Sequence, residues 1–345
     1  MRRKRRTSGR YRGARRRVDL LIPILVALII SAAVVLYVVN ENMVFTKDGT
    51  FFSPSENTEK VVEDVEANLV IEEEEITEPV VQVPENTPAE ATRAYFIPID
   101  SVKNTELFNV ALSEVAALPS VNKLVLEVKA EDGMLAFSTD SPLGVTATVS
   151  GDDEALRSAI SKAQEKGYKV ALYISAFKDN ETARKNQPYS ARTENKVIFI
   201  DGTNVRWLSA YSPEARGYVT DVIKKANTFS PDEIILSNVS FPAVGKTEIL
   251  FYEKELGEKR DAIKAFIAEA VAACEGTKLS AVYENYNDKC LPMSGQSPDD
   301  FENGFNALYV KKDGSYYTKS ASESGISNAI IIDARANGES YMIKK

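Results

Sequence analysis

Five carboxylates stand at or just beyond the ends of apolar, strand-like runs: Asp100, Glu127, Asp179, Glu284 and Asp333. A pair of carboxyl groups, one protonated and one ionised, is the equipment for cleaving a glycosidic bond, with one as acid and the other as base or nucleophile. Histidine is absent from the whole chain. Its absence removes Ser-His-Asp and Cys-His catalysis, imidazole general bases and His-ligated zinc or iron sites. Chemistry therefore rests on carboxylates, Lys, Tyr, Ser or Cys. Glu127 and Glu284 are the first pair of candidates, with Asp333 in reserve. Each taken alone is more simply a solvated loop charge or an ion-pair partner.

From Arg93 onward apolar runs alternate with helical patterns, the order expected of an α/β domain with a parallel sheet. The roughly 250 residues that remain suit one (β/α)8 TIM-type barrel. Candidate strands are 94–99, 123–128, 169–175, 205–210, 233–236, 279–283, 307–310 and 329–332, with 197–200 as a hairpin run inside a loop. Between them 105–118, 152–166, 213–226 and 258–274 carry apolar residues at helical spacing. Beyond Asn287 the pattern thins, so the last third of the barrel is expected to be irregular. In a parallel barrel the functional groups gather at the carboxyl ends of the strands. Aromatic residues there, Tyr95, Phe177, Trp207, Tyr211, Tyr283 and Tyr286, can stack on pyranose faces or simply pack the core and rim.

Upstream, the chain is built for a membrane. Leu20 to Val39 is an apolar run of twenty residues interrupted only by Pro23 and Ser31, long enough as a helix to cross a bilayer. Ten Arg or Lys residues precede it within residues 1–17, which keeps the amino terminus cytoplasmic. A cleaved signal peptide is the rival reading. The run is longer than a signal core, and the following Val-Val-Asn-Glu-Asn-Met lacks a small-x-small cleavage site. The organisation read from this is a basic cytoplasmic tail (1–17), a transmembrane helix (18–40), an acidic extracytoplasmic linker (41–92) and the barrel domain (93–345). Fourteen acidic residues and two lysines between Asn40 and Thr92, with four prolines, describe an extended, self-repelling, disordered stalk.

Taking the ten cationic residues of the tail away from the net charge of −8 leaves −18 on the rest. Such an acidic outward part does not suit nucleic acid. The only cysteines, Cys274 and Cys290, are either a disulfide on the outward side or two unpaired thiols. No phosphate loop, EF-hand spacing or metal-ligand cluster occurs, so neither a cofactor nor a metal is expected.

Several stretches resemble a bacterial family of glycoside-hydrolase-type, amylase-like barrels. Leu126-Glu127-Val128-Lys129 with Glu131-Asp132-Gly133 is similar to its I-D-V-K-D-x-x-G. Phe177-Lys178-Asp179 with Ala183 and Asn186 is similar to F-K-D-x-x-L-A-x-x-N-P. Trp207, Tyr211, Pro213, Glu214, Arg216 and Tyr218 stand where the family has W-x-D-P-Y-x-P-E-x-R-x-Y. The resemblance covers roughly Arg93 to Cys274 and implies a glycan-binding mouth, with Tyr95, Lys129, Asp179, Trp207, Tyr211 and Ser237 as substrate-binding candidates. One departure matters. Asp232 to Pro242 reads D-E-I-I-L-S-N-V-S-F-P against the family's D-E-I-Q-F-D-Y-V-R-F-P, so the strand-end aspartate and the arginine beyond it are Ser237 and Ser240. A serine without a base is a poor nucleophile. The expectation is a membrane-anchored, extracytoplasmic, glycoside-hydrolase-like protein that binds cell-envelope or extracellular polysaccharide, with hydrolysis reduced or lost. The alternatives are an active hydrolase using a carboxylate pair outside the family pattern, and a non-catalytic envelope scaffold.

Overall fold

The computed structural model describes residues 43–46, 49–52, 91–147, 151–284, 291–312, 326, 329–336 and 338–345. The basic tail, the apolar run Leu20–Val39, most of the acidic linker, Tyr286 and Cys290 lie outside them. Among the described residues no helix is long and apolar enough to cross a membrane. Two compact units divide the chain at Val83 and Pro84. In the first, β1 (Met43–Thr46) and β2 (Gly49–Phe52) pair antiparallel as a hairpin.

In the second, eight strands close into a barrel in the order β10-β3-β4-β5-β6-β7-β8-β9, every neighbouring pair parallel. They are β3 (Arg93–Ile97), β4 (Lys123–Lys129), β5 (Lys169–Ser175), β6 (Glu233–Ser237), β7 (Lys278–Val282), β8 (Leu308–Lys311), β9 (Ile330–Asp333) and β10 (Tyr341–Ile343). Seven of them lie where the sequence predicts strands. The eighth does not: residues 205–210 sit in a loop, bridged from Arg206 to Ile200, from Trp207 to Lys178 and from Leu208 to Ser190, and the three-residue β10 closes the ring instead. A ladder needs only a few residues when both neighbours already stand, so a short carboxyl-terminal strand suffices.

Around the barrel run α1 (Ile99–Val102), α2 (Thr105–Ala116), α3 (Pro142–Ala147), α4 (Asp153–Glu165), α5 (Asn180–Lys185), α6 (Pro213–Asn227), α7 (Lys259–Ala273), α8 (Leu291–Ser294) and α9 (Pro298–Gly304). Their starts follow local chemistry. Asn104, Asp152, Asp179 and Ser212 each accept backbone N–H bonds as N-caps, and Pro213 opens α6 with its φ already helical. In α4, Leu156, Ala159, Ile160 and Ala163 are the buried stripe that faces the sheet. The last third is irregular as expected, with a four-residue α8 and a seven-residue α9.

Side chains alternate across each strand. One parity, including Phe96, Val125, Tyr173, Ile235, Val282, Tyr309, Ile332 and Met342, makes the barrel's own interior core. The other packs the larger core against the helices.

Candidate functional site

Continuing the interior parity one step toward the carboxyl ends places Glu127 (β4), Ser237 (β6), Glu284 (just past β7), Lys311 (β8) and Lys344 (just past β10) over that core. These groups line the mouth. Glu284 is its most unusual member. The residue is partly exposed, yet its Oε2 is buried and has no hydrogen-bond partner. Burial pushes its carboxyl up to about 7, against the opposing pull of Lys311, Lys178 and Lys344. Glu127 is half-buried, and burial raises its carboxyl too. The Ile99 N–H donates to its Oε2 at 3.0 Å, and this bond and Lys344 favour the ionised form. Both carboxyls feel Glu131 and Lys344, so they answer to one electrostatic environment.

Strand periodicity does not mark Glu131, which follows the end of β4 in a turn. It accepts from Lys178 Nζ at 2.8 Å and from Asn238 Nδ2 at 3.3 Å. Lys178 also lies 3.6 Å from Asp201. Burial works against the Lys178 charge, but Glu131 and then Asp201 outweigh it and hold the ammonium above its usual range. Asp201 in turn accepts from Trp207 Nε1 at 2.9 Å. The result is a chain of alternating charge from Asn238 through Glu131, Lys178 and Asp201 to Trp207. On the other side Lys344 lies over Phe96 and Tyr173, 4.1 and 4.6 Å from the ring centroids. Its charge is sustained against burial by Tyr173 and Glu127. Nothing in the sequence marks Lys344, whose place depends on the unforeseen β10.

The remaining candidates are distributed differently. Tyr95 has the outward parity and donates from its hydroxyl to Glu114 on α2 at 2.9 Å, away from the mouth. Asp333 has that parity as well, and its Oδ2 pairs with Lys312 at 3.2 Å. Lys129 and Asp179 are buried completely and pair with each other at 2.7 Å, out of a ligand's reach. Trp207 is 4% exposed and serves as a wall beneath Lys178. Tyr211 belongs to a surface groove and donates to the Gly257 carbonyl at 2.8 Å. Ser237 is buried, hydrogen-bonded to the Tyr173 hydroxyl and to Asn238; Ser240 Oγ is buried without a partner. Cys274 is buried and its thiol donates to the Thr277 carbonyl at 3.6 Å. Among the described residues no group of three or more His, Cys, Asp or Glu side chains gathers to hold a metal.

Residues 94–285 match the family model described as "Putative glycosyl hydrolase domain". The chain belongs to this family. The matched span runs from β3 through Glu284 and includes Glu127, Glu131 and Lys178, while Lys311 and Lys344 lie beyond it. No curated protein matches. Among solved structures, a hypothetical protein from Ruminiclostridium thermocellum is 20% identical over 54% of this chain and 96% of its own, with a TM-score of 0.49. An alpha-galactosidase from Thermus thermophilus is 16% identical over 56% of this chain, with a TM-score of 0.38. An alpha-amylase from Lactobacillus plantarum is 13% identical over 63% of this chain, with a TM-score of 0.44. The chain spans 38% and 52% of the lengths of these two enzymes.

The turn that carries Glu131 has a narrow tolerance. Gly133 has φ +93°, and a Cβ there would stand 2.5 Å from Asp179 Oδ1 and 3.1 Å from the Glu181 Cβ. Gly133→Ala is expected to destabilise the domain by about 1–3 kcal/mol, from backbone strain and displacement of the buried aspartate. Thermal denaturation checks this; an unchanged midpoint would mean that the turn adapts freely.

Proposed function

We propose that this protein is a glycan-directed barrel of the cell envelope in which Glu284 is the proton donor to a glycosidic oxygen and Glu127 the opposing carboxylate. The observation that carries the reading is the Glu284 carboxyl at the mouth, whose buried Oε2 has no hydrogen-bond partner and which burial raises to about 7. A carboxyl that keeps its proton near neutral pH, across the mouth from one whose anion the Ile99 N–H and Lys344 support against burial, offers the two roles that glycoside cleavage requires. Membership in a glycosyl hydrolase family supports the substrate class. Residues 18–40 anchor the chain, the amino terminus stays in the cytoplasm, and the barrel faces outward on the acidic linker.

The test uses the full-length chain solubilised in mild detergent with soluble starch, xylan, galactomannan and mixed-linkage β-glucan. Release of reducing ends, lost in both Glu127→Gln and Glu284→Gln, is the expected result. Saturable binding without product would instead favour a second reading, a glycan-binding barrel without hydrolysis. Ser237 and Ser240 favour that reading, since they stand where the resemblance puts an aspartate and an arginine. Neither product nor binding would end both readings. For the topology, a carboxyl-terminal tag on intact bacterial cells is expected to be digested by external protease, and a protected tag would overturn the outward placement.

A further inference from the structure

On the carboxyl-end face of the barrel, the segment between α5 and α6 and the loop between β6 and α7 build a groove of about 330 Å³ that the proposed chemistry does not use. Its floor is aromatic. Tyr211 and Tyr252, which line it, cluster with the buried Phe241, ring centroids 4.7 to 5.4 Å apart, and Lys259 lies over the Phe241 and Tyr252 rings. Phe251, on the groove's edge, is 48% exposed and Leu256 45%. The Tyr252 hydroxyl is buried and has no hydrogen-bond partner, although the residue lines the groove.

We infer that this groove is a second glycan subsite, which holds a neutral stretch of polysaccharide on the same face as the mouth. The inference rests on the proposed glycan-directed function and names where the chain beyond the reacting linkage is held. Four observations lead there. Aromatic faces beside polar groups match a pyranose, which has apolar C–H faces and a hydroxyl edge. The charged side chains around the groove cancel, Arg192 and Lys196 against Glu194 and Glu253, so a polyanion finds no net attraction. The volume of about 330 Å³ is that of a small-ligand site and suits one or two sugar rings. Finally, both segments that build the groove follow the carboxyl ends of their strands, β5 and β6, which puts the groove on the barrel face that carries the mouth.

Affinity electrophoresis of the full-length chain in detergent, through gels containing the same four polysaccharides, tests the subsite. Phe251→Ala is expected to weaken retardation by the polymer that the unmodified chain binds by about tenfold, the loss from one stacking aromatic face. Tyr252→Phe, which removes only the hydroxyl, is expected to weaken it by a smaller factor. Turnover of p-nitrophenyl monosaccharides, too short to reach the groove, should be unchanged in both. Circular dichroism verifies folding, and Leu256→Ser, at a second exposed position, repeats the test if Phe251→Ala misfolds. Equal retardation of variants and parent, or no retardation by any of the four polymers, overturns the subsite, as does an equal loss on the short substrate. If the parent binds but hydrolyses nothing and Phe251→Ala still weakens binding, the subsite stands and the hydrolase reading alone fails.

Discussion

Glu284→Gln is expected to lower kcat about 10³-fold, within the range that a positioned general acid contributes, while making the folded domain more stable at pH 8. The two effects share one cause. A glutamate whose carboxyl titrates at about 7 when folded and at 4.5 ordinarily holds its proton in the native state across the interval where the unfolded chain has released it. The native state then binds more protons than the unfolded one, so stability falls as pH rises from 4.5 toward 7. Below that interval both states are protonated and the penalty vanishes. Above it the penalty is complete, on the order of 3 kcal/mol. Glutamine has no such titration, so urea denaturation at pH 5 and pH 8 should separate the variant from its parent only at pH 8. Activity follows the same titration. The parent's kcat should fall as pH rises through about 7, where Glu284 loses its proton. A flat profile across that range, or a variant that retains full turnover, would remove Glu284 from the role of acid.

How far the chain could be read before its coordinates is clearest from strand parity. Four helices and seven barrel strands were legible because each buries a stripe of regular period, 3.6 residues in α4 and 2 in the strands. The same period separates good candidates from poor ones. Glu127 and Glu284 share the interior phase of Val125 and Val282, whereas Tyr95 is out of phase with Phe96 and Asp333 with Ile332. Position at a strand end nominated Tyr95 and Asp333; alternation sends their side chains to Glu114 and Lys312. The hairpin around Val197 was visible as a strand-like run. What could not be read was which extended segment joins the barrel: residues 205–210 offer a longer run than the three of Tyr341–Ile343, and only long-range pairing decides. Lys344 was hidden for that reason. Glu131 and Lys178 stand in the motifs, but their meeting with each other and with Asp201 was hidden for another, since turn and loop residues have no period and come together only when β4, β5 and the 187–210 loop are assembled.

Lys129→Met should cost the fold about 3–5 kcal/mol, because it leaves the Asp179 carboxylate buried and uncompensated. For a domain of this size that corresponds to a fall in melting temperature on the order of 10 °C. The pair was nominated for substrate binding on its place near the strand ends, but its two side chains have no exposed surface. Its effect on the site is indirect. Lys129 Nζ donates to the Ser175 carbonyl at 2.7 Å, Ser175 Oγ donates to the Lys178 carbonyl at 2.7 Å, and Asp179 Oδ1 accepts from the Thr182 N–H at the start of α5. The segment 175–179 is thereby fixed beneath Lys178, which meets Glu131 and Asp201 at the mouth. Adding Asp179→Asn to Lys129→Met removes the stranded charge and keeps an oxygen for the cap, so most of the lost stability should return. Turnover should not return with it, since the double variant still lacks the ammonium that holds Ser175. Recovery of both quantities together would show that the pair contributes only stability; recovery of neither would place the cost in packing of the lysine stem rather than in the buried charge.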